Sequence, residues 1–273
     1  MSIRIIVEAA ANHQGNIFLA KEFIRIAAKI GVDCVKFQSS RYEDLADKSE
    51  AQAKWVQQTS LSNDDHLELM AESSKNKIGF LTTCFSISRI DFLSSLGLKE
   101  IKIASPDLMS FSMIEKLAEH FDHLIISTGM HSVRDIKKAI DFLVKNKINA
   151  TLLHSVSIYP TPVNKAFMYK FLWLKDNFPN VGYSNHVPDV EPVRFAMAHG
   201  AQIVEVHMKL GKYGPGRAAD WDLTIEQVAE LVSYRNTLKE MLGKEKDLNN
   251  EDFLYEEELN AAKRFVGRWG NNK

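Results

Sequence analysis

Short apolar runs suited to strands alternate with amphipathic runs suited to helices along nearly all of the 273-residue chain, and that alternation leaves few folds open. Runs at 3–7, 32–37, 78–82, 100–103, 123–126, 150–153, 180–183 and 202–206 predict eight strands. Helical patterns lie between them. The first covers 17–30, with Leu19, Phe23, Ile26 and Ile30 on one face. The second starts near Asp64 behind a Ser62 or Asn63 cap, and the third, 88–96, is closed by Gly97. Others are read at 113–120, from the Ser132 cap to about Lys145, and at 165–177, 191–199 and 225–242. The stretch 41–60 reads as a polar excursion. Units recurring about every thirty residues point to a single-domain (β/α)8 TIM barrel over 1–243, since an open doubly wound sheet usually has fewer strands. Residues 244–273 read as a charged helical tail.

The composition excludes several classes of function. With 34 Lys and Arg against 35 Asp and Glu, the formal net charge is −1, which favours neither nucleic acid nor an anionic membrane surface. No apolar run approaches the ~18 residues of a membrane helix. The opening MSIRIIVEAAANHQGN is interrupted by Asn12, His13 and Gln14, unlike a signal peptide. Cys34 and Cys84 lie far apart in strand-like surroundings, as in a reduced cytoplasmic protein with core thiols.

In a TIM barrel, function gathers on the loops after the strands. Those positions hold Glu8; Lys36 and Gln38; Thr82 and Thr83; Lys102, Ser105 and Asp107; Ser127 and Thr128; His154, Ser157 and Tyr159; Ser184 and His186; Glu205 and His207. Any one of them taken singly reads more readily as a satisfied buried group or a helix cap than as part of a site. Eight strands all ending this way are harder to explain structurally, because charge inside a barrel is costly unless paired or liganded. Lys36 (CVKFQ) and Lys102 (IKIAS) are either snorkelling lysines or the cationic side of a site for a phosphate and a carboxylate. Glu8 and Asp107 would balance them or move protons. The strand–helix–strand unit at 181–216 sets His186 and His207 on adjacent strand ends. They are either ordinary hydrogen-bonded histidines or half of a divalent-metal site.

The motifs VEAAANHQGN, VKFQ, FLTTCF, IKIASPD, STGM, LLHSVSIYPTP, GYSNH and EVHMKLGKYGPG occur in an order that resembles the sialic acid synthases. These enzymes condense phosphoenolpyruvate with an N-acyl amino sugar, and the likeness spans about 3–242. It implies Mn²⁺ or Mg²⁺ held by His186 and His207. It also implies phosphoenolpyruvate contacts from Lys36, Thr83, Lys102, Ser105, Ser127, Ser157 and Ser184, and acceptor contacts from Gln38 and Tyr159. Glu8 and Asp107 match acidic residues near the reacting centre, and Lys102 is counted with them and the histidines as catalytic. The implied partners are phosphoenolpyruvate, a sugar acceptor and a second copy of the chain, with no nucleic acid or membrane.

Four departures from the family pattern stand out. The chain stops before the small antifreeze-like domain whose arginine reaches the partner subunit's acceptor site, which leaves room for a separate protein carrying that domain. Pro106 replaces a glycine, removing an N–H and fixing φ. Asn185 stands where aspartate is common. Gly214-Pro215-Gly216-Arg217 replaces a Gly-Pro-Asp segment, with Asp220 displaced along it. Arg217 either substitutes for the missing arginine or has a bland surface role. Two rivals follow: a Schiff-base aldolase or lyase using Lys36 or Lys102, and a non-catalytic or partner-completed sugar-binding barrel.

Overall fold

The strands are apolar almost throughout because parallel strands covered by helices on one face and by the barrel interior on the other have no solvated side. The computed structural model describes residues 3–41, 43, 49–211, 220–243, 247, 249 and 253–264. In chain order the elements are β1 (Arg4–Glu8), α1 (Ile17–Ile30), β2 (Cys34–Ser39), α2 (Glu50–Thr59), α3 (Asn63–Lys75), β3 (Gly79–Cys84), α4 (Ile90–Ser95) and β4 (Glu100–Ile103). They continue with α5 (Phe111–His120), β5 (His123–Ser127), α6 (Val133–Lys145), β6 (Ala150–Ser155), α7 (Met168–Asn177), β7 (Val181–Asn185), α8 (Glu191–Ala198), β8 (Ile203–His207), α9 (Ile225–Met241) and α10 (Glu256–Lys263). Strands β1 to β8 close a parallel barrel in sequence order, with β8 returning to β1.

The eight predicted strands are present, with no end moved by more than two residues. The 41–60 excursion is not featureless, since α2 occupies its second half. Its mixed polarity hid it from a periodicity reading. Helix α3 begins behind Ser62 in a reciprocal capping box with Asp65, and α6 repeats the device with Ser132 and Asp135. The run predicted to be helical from Lys165 becomes helix only at Met168, because Phe167 takes a left-handed φ of 49°. Residues 256–263 of the predicted tail are helical and exposed.

Strand parity organises the barrel interior. Ile6, Cys34, Leu81, Ile125, Leu153 and Ile203 form an apolar cluster distinct from the larger core between strands and helices. Side chains two residues apart on a strand share a face. Glu8, Lys36, Thr83, Ser127, Ser155 and Glu205 therefore form the next inward layer, toward the C-terminal ends. Two residues the other way lie Arg4, His123 and Thr151. Arg4 pairs with Glu100, His123 Nδ1 lies 3.3 Å from Glu100 Oε2, and His123 Nε2 lies 2.9 Å from Thr151 Oγ1. An ionic floor, an apolar plug and a polar upper layer thus fill the interior, and the upper layer borders a cavity at the C-terminal ends of the strands.

Candidate active site

Register sets the charged centre. Glu8 aligns with Lys36 on one side and His207 on the other, and Ser184 aligns with Glu205. The Lys36 ammonium pairs with Glu8, donates to Thr83 Oγ1 at 2.8 Å and lies 3.6 Å from Glu205 Oε1. Glu8 Oε1 also accepts from the Ala10 N–H at 2.6 Å and from Gln38 Nε2 at 3.4 Å. Ser184 Oγ donates to Glu205 Oε1 at 3.2 Å. Lys102 Nζ donates to Ser127 Oγ at 2.6 Å and to the Ile103 carbonyl at 2.9 Å.

Burial sets the protonation energetics. Loss of water pulls the Lys36 ammonium down to about 8; Glu205 resists this and Lys102 reinforces it. Lys102 is lowered by the same desolvation, again opposed by Glu205. Desolvation alone would raise the Glu205 carboxyl, but Lys36 and Lys102, followed by His207 and His186, outweigh it and hold the group at about 2. Glu205 is therefore an anion throughout the physiological range.

The two histidines stand side by side, with ring centroids 5.3 Å apart and planes inclined by 56°. His186 Nδ1 lies 2.7 Å from the Val156 carbonyl, which can only accept, so the proton sits on Nδ1 and the Nε2 lone pair is left over. Desolvation lowers His186, and it lowers His207 well below the ordinary range with help from His186, so both rings are neutral. Neutral imidazoles suit a divalent ion, and the Val156 carbonyl fixes the His186 ring for that role. Glu205 Oε2 is buried with no hydrogen-bond partner among the described residues, and it adds an anionic neighbour. The donor set thus fits a cation held by two protein nitrogens, with its other positions open to water or substrate. No group of three His, Cys, Asp or Glu in metal-binding positions occurs among the described residues.

A cavity of about 340 Å³ opens above this layer. Its wall includes Glu8, Lys36, Gln38, Thr83, Lys102, Ser105, Ser127, Ser157, Tyr159, Ser184, His186 and His207. Twelve of the fourteen residues predicted from sequence thus meet around one space. Asp107 is not among the lining residues: it lies in the 3₁₀ turn Ser105–Met109, accepts from Ser110 Oγ at 3.3 Å and is raised by burial, while Pro106 faces the cavity. Arg217, with Gly214, Pro215 and Gly216, lies outside the described residues. Beside the charged centre, Gly129 marks a concavity. A Cβ built there would meet Ser157 Oγ at 2.4 Å and Ser105 and Ser155 Oγ at 2.8 Å each, so hydroxyls from the C-terminal ends of β4 and β6 converge on one spot. Such a cluster suits an anion.

Comparison with known proteins follows from this geometry. Residues 23–247 match the family model described as NeuB. The chain belongs to the NeuB family. Its NeuB relatives include N,N'-diacetyllegionaminic acid synthase of Campylobacter jejuni, 34% identical over 257 residues, covering 88% of this chain and 77% of that protein. N-acetylneuraminate-9-phosphate synthase of Drosophila melanogaster is 32% identical over 254 residues, covering 87% and 68% respectively. The N-acetylneuraminic acid synthetase of Leptospira borgpetersenii, crystallised with citrate, superposes with a TM-score of 0.86 at 27% identity, covering 97% of this chain and 92% of that one.

The cavity of this NeuB chain also contains residues that the sequence reading did not assign to the site. Glu205 was visible as a strand end, and its parity with His207 was the signal that it faces inward. Asn12, Trp221 and Asp222 carry no such signal. Asn12 Nδ2 donates to Asp222 Oδ2 at 2.8 Å and to the Met208 carbonyl at 3.0 Å, tying the loop after β1 to the segment after β8. Asp222 Oδ1 lies 3.7 Å from His207 Nδ1. Trp221 packs edge-on against Tyr159 at 5.2 Å, and Tyr159 lies 4.3 Å from His186. An aromatic wall therefore borders the histidines.

Proposed function

We propose that this NeuB-family chain joins phosphoenolpyruvate to an open-chain aldose or amino sugar, giving a 3-deoxy-2-keto sugar acid and free phosphate. Family membership supports the class: a phosphoenolpyruvate-dependent, carbon–carbon bond-forming sugar-acid synthase. The observation that carries the reading is the charge of the cavity wall. Among its described residues, two ammonium groups (Lys36 and Lys102) face three acidic side chains (Glu8, Glu205 and Asp222), and both imidazoles are neutral. A ligand bearing a phosphate and a carboxylate enters such a wall favourably only in company with a cation. His186 and His207 would hold that ion, Mn²⁺ or Mg²⁺. When bound, it supplies Lewis-acid polarisation of the acceptor aldehyde.

The chain's own residues bind and orient. Lys102 with Ser127, and the hydroxyls around Gly129, hold the anionic ends by charge-assisted hydrogen bonds, while Lys36, Thr83 and Ser184 fix the enol beside the acceptor. Gln38 and Tyr159 face that acceptor. C3 of phosphoenolpyruvate bonds to the aldehyde carbon, water adds to C2, and the bond from C2 to the phosphate oxygen breaks. Glu8 on the cavity wall is our candidate for moving a proton, ahead of Asp107. Partners in this reading are the two substrates and a second copy of the chain. Two buried free cysteines, and the absence of a long apolar helix among the described residues, support a cytoplasmic site of action.

The Schiff-base rival needs a lysine lone pair. Lys36 has the lowered value such a nucleophile wants, yet its N–H groups are engaged by Glu8, Thr83 and Glu205. The test is phosphate release from phosphoenolpyruvate with Mn²⁺ across a panel of aldoses and amino sugars. Release with at least one acceptor, abolished by a chelator, is expected. No release with any acceptor, or covalent trapping of a ketoacid by borohydride, overturns the reading.

A further inference from the structure

Ser155, the last residue of β6, is 2% exposed and is not part of the cavity wall. Its Oγ accepts the Gly129 N–H at 3.1 Å and lies 3.2 Å from Ser105 Oγ, which does line the cavity. A serine hydroxyl has one proton to give and room to accept two. If Ser105 donated to Ser155, the Ser155 proton would have no acceptor among its recorded contacts in the described residues, a costly outcome for a buried hydroxyl. The arrangement that uses every proton runs Gly129 N–H to Ser155, Ser155 O–H to Ser105, and Ser105 O–H outward into the cavity. The backbone of Ser105 is held from the other side. His131 Nε2 lies 2.9 Å from the Ser105 carbonyl, which makes that nitrogen the donor, and Lys170 Nζ donates to the His131 carbonyl at 2.8 Å.

We propose that Ser155 is a positioning residue: it fixes the direction of the Ser105 hydroxyl so that its proton points at an anionic oxygen of the substrate. This rests on the reading that the phosphoenolpyruvate phosphate or carboxylate lies against the hydroxyls around Gly129. Donors aligned in series polarise one another. Gly129 has two parts in the device. Its N–H starts the chain, and its lack of a side chain leaves the space in which the chain ends. Ser155 never touches the ligand, so its effect appears in binding of the anion and only through Ser105.

A double-mutant cycle read by calorimetric titration tests this, using the full chain loaded with Mn²⁺ and titrated with phosphoenolpyruvate and, separately, with inorganic phosphate. Ser155→Ala is expected to weaken phosphoenolpyruvate binding about fivefold, the worth of one neutral hydrogen bond, and to raise KM with little change in kcat. In a Ser105→Ala background the same substitution should have no further effect, because the hydroxyl it orients is gone. Mn²⁺ affinity, followed by the paramagnetic resonance of free ion, should not move. Ser155→Cys is slightly larger and keeps a side-chain proton on a weaker donor, and it carries the same expectation if the alanine variant does not fold. Unchanged phosphoenolpyruvate affinity in Ser155→Ala overturns the proposal, as does an equal loss with and without Ser105. A wild-type chain that binds neither probe overturns the functional reading and this one with it.

Discussion

The Lys36 ammonium lies 3.6 Å from the Glu205 carboxylate, and the two side chains, on the strands flanking β1, are almost wholly cut off from solvent. Removing one member of a buried pair strands the other in a low-dielectric interior, at a typical cost of about 3–5 kcal/mol. Glu205→Gln keeps the shape and deletes the charge. Urea unfolding should show a loss of that order, lessened by the second partner of Lys36, Glu8. An unchanged midpoint would mean that Glu8 alone balances the lysine.

The same pair predicts that activity and stability respond to alkali in opposite directions. Lys36 is lowered to about 8 in the folded chain, against 10.5 as the ordinary value, chiefly by burial. Below pH 8 both states carry the proton, and the penalty for burying the ammonium is fully present. Between 8 and 10.5 the unfolded chain binds the extra proton, so this group's contribution makes the fold more stable as pH rises. The proposed reaction uses Lys36 as a cation, so kcat/KM should fall above about pH 8 while that contribution grows. Comparing the pH dependence of unfolding in wild type and Lys36→Met isolates the term from other titrating groups. On the acid side, Glu205 supports the fold above about pH 4.5, and this support is lost as pH falls toward 2.

What could be read from the sequence follows from periodicity. Eight apolar runs gave the barrel, because strand and helix periods are local properties. The same parity carried Lys36, Thr83, Ser127 and Glu205 onto the inner face, and the shared motif order supplied their chemistry. Helix α2 was missed because its apolar residues are too few to outweigh a polar setting. Asn12 and Trp221 were missed because their approach depends on contacts about two hundred residues apart, such as the Asn12–Asp222 bond. Asp107 was drawn in by its motif, whereas the turn started by Ser105 and Pro106 carries its carboxyl off the cavity wall. Nothing in the sequence distinguishes Ser155 from other strand-end serines, because only tertiary structure brings its hydroxyl to Gly129.

Gly129 makes a prediction of its own. The three nearest atoms that an added Cβ would strike are serine Oγ atoms on short side chains, so Gly129→Ala should still fold, with a melting temperature lowered modestly by the hydroxyl contacts it disturbs. What it should lose is the concavity. The Kd for phosphoenolpyruvate is expected to rise by tenfold or more, since the methyl group both fills the space and turns the hydroxyls aside. Retained affinity would mean that the anionic ends lie elsewhere in the cavity.

The barrel floor should respond independently of the site. Burial would raise the Glu100 carboxyl, but His123 and Arg4 hold it at about 2. A carboxyl lowered in this way stabilises the fold above about pH 4.5, and the benefit disappears as pH falls through 2. Glu100→Gln should therefore flatten the fall in stability between pH 4.5 and 2, and it should lower stability at neutral pH. Phosphoenolpyruvate affinity should not change, because the apolar layer of Ile6, Cys34, Leu81, Ile125, Leu153 and Ile203 separates the floor from the cavity. Acid titration monitored by circular dichroism, alongside a binding assay at neutral pH, distinguishes these effects.

The histidines decide whether the reaction depends on a metal. In the proposed reaction each would contribute one neutral nitrogen, and with no third protein ligand evident among the described residues, losing either would leave a monodentate site. His186→Ala and His207→Ala should each abolish turnover and Mn²⁺ binding, the latter read from the resonance of the free ion. Phosphoenolpyruvate affinity should fall in both, because the acidic residues of the wall would then face the substrate without a compensating cation. His186→Ala should be recoverable in part by millimolar imidazole, which can occupy the space beside the Val156 carbonyl. His207 approaches Asp222 rather than a backbone carbonyl, so its replacement also unsettles the Asn12–Asp222 tie and should be rescued less well. Turnover that survives both substitutions in the presence of a chelator would exclude a metal held by these rings.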